Sequence, residues 1–159
     1  MRIPLAASIG VTLGLLFVTH ASALPPAEER AAIGNAASAF LTGLEGIGVA
    51  LAAEKDQHGL AAACLMHDHQ QLAQFLDLET TLSTLYFIGL KIKDPDDLKL
   101  VDGYFQRTLD GLKAISRTVS GLAAAEPTDC KALPYYVANP TLLDDLAKDA
   151  LAIVGAFSI

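Results

Sequence analysis

The chain has 159 residues, 11 Lys and Arg against 18 Asp and Glu, a net charge of −7, and 52% hydrophobic residues. That is one domain's worth of chain, enough to bury a core. Its acidic balance works against binding nucleic acid or an anionic lipid surface, because both present negative charge and the cations are scattered.

Residues 1–23 read as a cleavable signal peptide. Arg2 supplies a short positive start, residues 8–18 an apolar run, and Ala21-Ser22-Ala23 the small residues that a signal peptidase accepts. Leu24-Pro25-Pro26 then interrupts any helix leaving the segment. The apolar run falls short of the roughly 20 residues that a membrane span needs, so cleavage is expected over anchoring. No cysteine follows the cleavage site to carry a lipid. Cleavage leaves residues 24–159 as one domain and, by removing Arg2, takes the net charge from −7 to −8. The nearest later approach to a span, residues 82–90, is too short and runs into Lys91 and Lys93, so no stable membrane span is expected after cleavage. The expected location is periplasmic or extracellular.

Four segments have helical periodicity. The first covers residues 27–55, with Pro26 at its entrance and Glu28 and Glu29 in its first turn, where carboxylates suit the helix dipole. Ile33, Ala37, Phe40, Leu44, Ile47 and Leu51 alternate at steps of four and three, the spacing of a seam that packs on neighbouring helices. Gly34, Gly43, Gly46 and Gly48 cost helix propensity and would let another helix approach closely. After a turn at residues 56–59, a second helix runs from Leu60 as far as Lys93, with Leu65, Leu72, Leu76, Leu82, Tyr86 and Leu90 on one face. Thr80 and Thr81 mark a candidate break, and Leu85-Tyr86-Phe87-Ile88 is apolar all round, which predicts burial on several sides.

The third helix has the clearest start. Asp94-Pro95-Asp96-Asp97 offers a capping side chain, a proline at the first helical position and two carboxylates in the first turn. Its seam is Leu98, Val101, Phe105, Thr108, Leu112, Ile115, Val119 and Leu122, and it stops before Pro127. Residues 128–140 form an irregular connection. The last helix opens at Asn139-Pro140-Thr141 and carries Leu143, Leu146, Ala150, Ile153 and Phe157 on its seam. Residues 41–47 echo residues 109–115 in Leu, Gly, Leu and Ile, which in so Ala- and Leu-rich a chain reads as chance.

These elements predict an all-α fold, an antiparallel four-helix bundle with an irregular connection before the last helix. In an up-down-up arrangement the start of the second helix and the end of the third lie at the same end. Cys64 and Cys130 therefore meet, and an exported chain with two cysteines is expected to pair them in a disulfide that tethers the connection.

Chemistry is sparse. His58 and the run Cys64-Leu65-Met66-His67-Asp68-His69 contain metal-ligand types. His67 and His69 are two apart and point to different sides of a helix, and a disulfide removes Cys64 as a ligand. The stretch reads as a polar helix start, with His67 and His69 as the metal candidates. No Glu-x-x-His pair, Cys-x-x-Cys-His, Gly-x-Ser-x-Gly elbow, phosphate loop or dinucleotide fingerprint is present. Asp96/Asp97 and Asp144/Asp145 stand at helix starts, where capping accounts for them. No cofactor is expected, and enzymatic activity is the lesser expectation. Tyr135 and Tyr136 in the connection either close the open end of the core or anchor a partner. The sequence thus reads as an exported, non-catalytic binding or structural-interaction protein whose partner is another protein. The alternative is a carrier of a small apolar ligand or metal ion.

Overall fold

Four long helices build the protein, each laid down by one of the apolar seams. The computed structural model describes residues 27–125 and 127–158, and the signal-peptide segment lies outside them. The helices are α1 (Ala27–Ala53), α2 (Leu60–Gly89), α3 (Pro95–Ala125), α4 (Thr128–Lys131), α5 (Pro134–Ala138) and α6 (Leu142–Phe157). No strand occurs among the described residues. The connection before the last helix is thus not structureless: it holds two short helices, α4 and α5.

The long helices form an antiparallel four-helix bundle. α1 packs on α2 and α6, and α3 packs on the same two. Direction shows in the paired residues. Phe40 meets Phe75 with ring centroids 4.8 Å apart, and eight residues further along α1, Gly48 meets His69, six residues earlier in α2. Gly89 faces Val101, whereas Leu78 faces Gly111. The core is continuous, with Phe40, Ile47, Leu65, Leu72, Phe75, Leu82, Leu112, Val119 and Ile153 all fully enclosed. Each such side chain contributes on the order of 1.5–3 kcal/mol through removal from water.

The start of α3 follows its sequence signal. Asp94 Oδ1 accepts hydrogen bonds from the backbone N–H of Asp96 at 2.9 Å and of Asp97 at 3.2 Å. At Gly43 α1 lies close against α6: a Cβ there would lie 2.8 Å from one Leu146 methyl. Gly111 plays the matching part on α3, facing Leu78 of α2. Gly111 and Leu146 each lie 68 residues beyond Gly43 and Leu78, since 111 − 43 and 146 − 78 both equal 68. Gly43 of α1 and Gly111 of α3, matched in the echo between residues 41–47 and 109–115, thus each face a leucine of a neighbouring helix.

Three expectations change. α2 is unbroken at Thr80 and Thr81, and the Thr84 hydroxyl bonds back to the Thr80 carbonyl at 2.9 Å within the continuous helix. The Leu85–Ile88 run is not buried on several sides: Phe87 is 59% exposed and Ile88 is exposed too. The cause is unequal helix length. α6 has only 16 residues, and its last, Phe157, already stacks edge-on against Phe105 with centroids 6.4 Å apart. The first turns of α3 and the last turns of α2 run on past that end without α6 beside them. Finally, Gly34–Ala53 of α1 is long and apolar enough to cross a membrane by length and composition. Ala, Gly and Leu with Glu45 as the one charge account for this, and in the bundle the helix buries Phe40, Leu44 and Ile47 in the core.

Candidate functional site

Two regions stand apart from ordinary core and surface, one at each end of the bundle. The first is the end closed by α4 and α5. Cys64, one turn into α2, is bonded to Cys130 of α4, with Cα atoms 5.7 Å apart. One turn further along α2 lies Asp68, a carboxylate with no solvent exposure. It is held from two directions. The Tyr136 hydroxyl, from α5, donates to Asp68 Oδ2, and His67 Nδ1 donates to Oδ1 at 3.1 Å. A buried carboxylate is costly without such partners, and hydrogen bonds to a charged acceptor are stronger than neutral ones. The α4–α5 segment is therefore a strap fastened to successive turns of α2, once covalently and once by a hydrogen bond.

The two tyrosines divide the strap's work. Tyr136 is 6% exposed, with its ring in the core edge-on to Tyr135 at 5.5 Å between centroids. Tyr135 reaches α1, where its hydroxyl would stand 2.5 Å from a Cβ at Gly46. That enclosure pushes the Tyr135 pKa above its ordinary 10.0, because burial disfavours the phenolate. The apolar side chain that the strap turns to solvent is Val137.

The histidines diverge. His67 is 58% exposed and is oriented by Asp68 through Nδ1, which leaves Nε2 outward. His69 turns to α1, with Nε2 3.2 Å from the Cβ position of Gly48. His58 sits in the α1–α2 turn, its backbone N–H bonded to Asp56 Oδ1 at 3.1 Å. Among the described residues no three His, Cys, Asp or Glu side chains are grouped to hold a metal ion. The arrangement holds one exposed imidazole, that of His67, against the buried Asp68 carboxyl. Sequence reasoning found these residue types but not the buried role of Asp68, whose partner lies in a distant element with no spacing signal.

The second region is the overhanging tip of the α2–α3 hairpin. Phe87, Ile88 and Leu90 of α2 and its C-cap, and Leu100 and Tyr104 of α3, are exposed. Asp96, Lys99, Leu100, Gly103, Tyr104 and Arg107 line a shallow depression of about 360 Å³ along α3 alone. The Arg107 guanidinium lies 5.7 Å from the centre of the Tyr104 ring.

Comparison with known protein families finds no match, and comparison with curated proteins and with solved structures finds none either.

Proposed function

We propose that the protein is an exported, non-catalytic interaction protein that meets another protein chain through the exposed tip of its α2–α3 hairpin. The observation that carries this reading is the apolar surface left outside the core: Phe87, Ile88, Leu90, Leu100 and Tyr104 lie at one end, on the turns of the α2–α3 hairpin that run past the end of α6. Exposed apolar residues clustered in this way, with charged residues around them, are characteristic of contact surfaces. Export is supported by the apolar N-terminal segment, which is compatible with a signal peptide, and by a disulfide that suits an oxidising compartment.

Native mass spectrometry of the protein purified from the cells that make it tests the reading. The expected result is the mass of polypeptide alone, in one or more copies and with no added ligand, together with cross-links from the hairpin tip to protein. A reproducible extra mass from a small apolar molecule or a metal ion would overturn it in favour of the carrier.

A further inference from the structure

The depression on α3 is a stripe along one helix face, and the chemistry of its residues points to what fills it. At helical steps of three and four such a stripe pairs off about its midpoint, here between Leu100 and Gly103: Asp96 matches Arg107, Lys99 matches Tyr104, and Leu100 matches Gly103. In an antiparallel pair of identical helices, each residue faces its match on the other copy. The paired residues are complementary at every level. A carboxylate meets a guanidinium, an ammonium meets an aromatic ring, and a leucine meets a residue without a side chain. Both apolar members are open to solvent, Leu100 at 60% and Tyr104 at 51%. Gly103 has no heavy atom within 4 Å of its Cβ position, so the space over it is empty and suits an incoming leucine.

We infer that the protein forms a homodimer through this stripe, with α3 of one copy packed antiparallel on α3 of the other about a two-fold axis between Leu100 and Gly103. The inference rests on the reading of the hairpin tip as a contact surface and names its occupant as a second copy of this chain. An isologous contact of this kind needs a self-complementary patch, and closed two-fold pairs are the commonest oligomers. Ile88, beside the Gly89 that meets Val101, is level with the stripe and extends the apolar area onto α2. Gly103 costs helix propensity within α3 and packs against nothing in its own chain, and a close helix–helix approach gives it a role.

Sedimentation of the full chain, purified as its cells make it, tests the inference from sub-micromolar to the highest attainable concentration. The expected result is a monomer–dimer equilibrium. Asp96→Arg and Arg107→Asp should each weaken it about tenfold, and the double reversal should return it to within about threefold of the parent, because the charges are exchanged within the same pair. Gly103→Gln guards against a folding defect: it should raise the melting temperature of the monomer, since nothing in the chain opposes the side chain, and yet abolish the dimer. A monomer throughout would overturn the inference, as would a dimer indifferent to these changes or a double reversal that fails to restore pairing. A monomer that cross-links from Leu100 to a different protein overturns the pairing alone. A monomer that carries a small ligand and no protein cross-link overturns the interaction reading as well.

Discussion

The Tyr136 hydroxyl and the Asp68 carboxylate meet inside the strapped end of the bundle, one turn of α2 beyond the Cys64–Cys130 disulfide. Their bond makes a fully enclosed carboxylate tolerable and turns a short irregular segment into part of the core.

Tyr136→Phe removes that donor and leaves Asp68 with His67, itself half in water. A loss of about 1–3 kcal/mol is expected from urea unfolding, the usual range when a buried acceptor loses a partner. Tyr86→Phe is the internal contrast. The Tyr86 hydroxyl is enclosed and has no hydrogen-bond partner among the described residues, so its removal should leave stability unchanged or slightly higher. Equal losses in the two variants would show that the Tyr136–Asp68 bond contributes nothing of its own.

Asp68 also shows where the sequence stops being readable. The inner face of α2 runs through Leu65, Asp68, Leu72, Phe75, Glu79, Leu82 and Tyr86, a regular alternation of threes and fours. Read from apolar residues, the face skips the polar Asp68 and Glu79, and without them to hold the register Leu76 takes the place of Phe75. Buried Glu79 accepts from the Ser83 hydroxyl at 2.8 Å, and the buried Ser116 hydroxyl returns to the Lys113 carbonyl at 2.9 Å, both within their own helix. The partner of Asp68 is different: Tyr136 lies in a distant element and leaves no mark on local spacing. The four seams and the disulfide were legible because helical period and up-down topology are local or nearly so. The exposed tip was not, because it depends on α6 being shorter than the hairpin beside it.

The disulfide closes a span of 66 residues, and chain-entropy arguments give such a loop about 4 kcal/mol of stabilisation. Reduction, or Cys64→Ser with Cys130→Ser, is expected to lower the urea midpoint accordingly. The loss should be uneven, because α4 and α5 have little seam of their own. Amide exchange should rise in residues 128–138 well before it rises in α1 or α6. Uniform loss of protection along the whole chain would show that the strap is not a separable unit.

Glycine substitutions separate close packing from mere helix cost. Gly155→Ala adds a methyl where nothing stands within 4 Å, and should stabilise by about 0.5–1 kcal/mol through backbone entropy alone. Gly43→Leu drives a large side chain into Leu146 and Leu142, whose methyls lie 2.8–3.3 Å from the Cβ position, and should cost about 1–3 kcal/mol as α1 and α6 move apart. Melting temperatures of the two variants should move in opposite directions from the parent. A tolerated leucine at Gly43 would mean that the α1–α6 contact is looser than its geometry indicates.

The strap also ties stability to alkaline pH. Burial raises the Tyr135 pKa above 10.0 in the folded chain, whereas the unfolded chain ionises near that ordinary value. Below about pH 10 both states keep the proton, and the contribution is intact. As pH rises further, the unfolded state loses its proton first, so it binds fewer protons than the folded state and stability falls. The fall continues until the folded Tyr135 ionises as well, by which point the contribution is gone. Tyr135→Phe cannot ionise and should show a shallower decline of urea midpoint with pH on the alkaline side, with little change near neutrality. The same variant removes the hydroxyl nearest Gly46 but keeps the ring carbon Cζ, 3.7 Å from the Cβ position there, against α1. An alkaline decline as steep in Tyr135→Phe as in the parent would assign that limb to other groups.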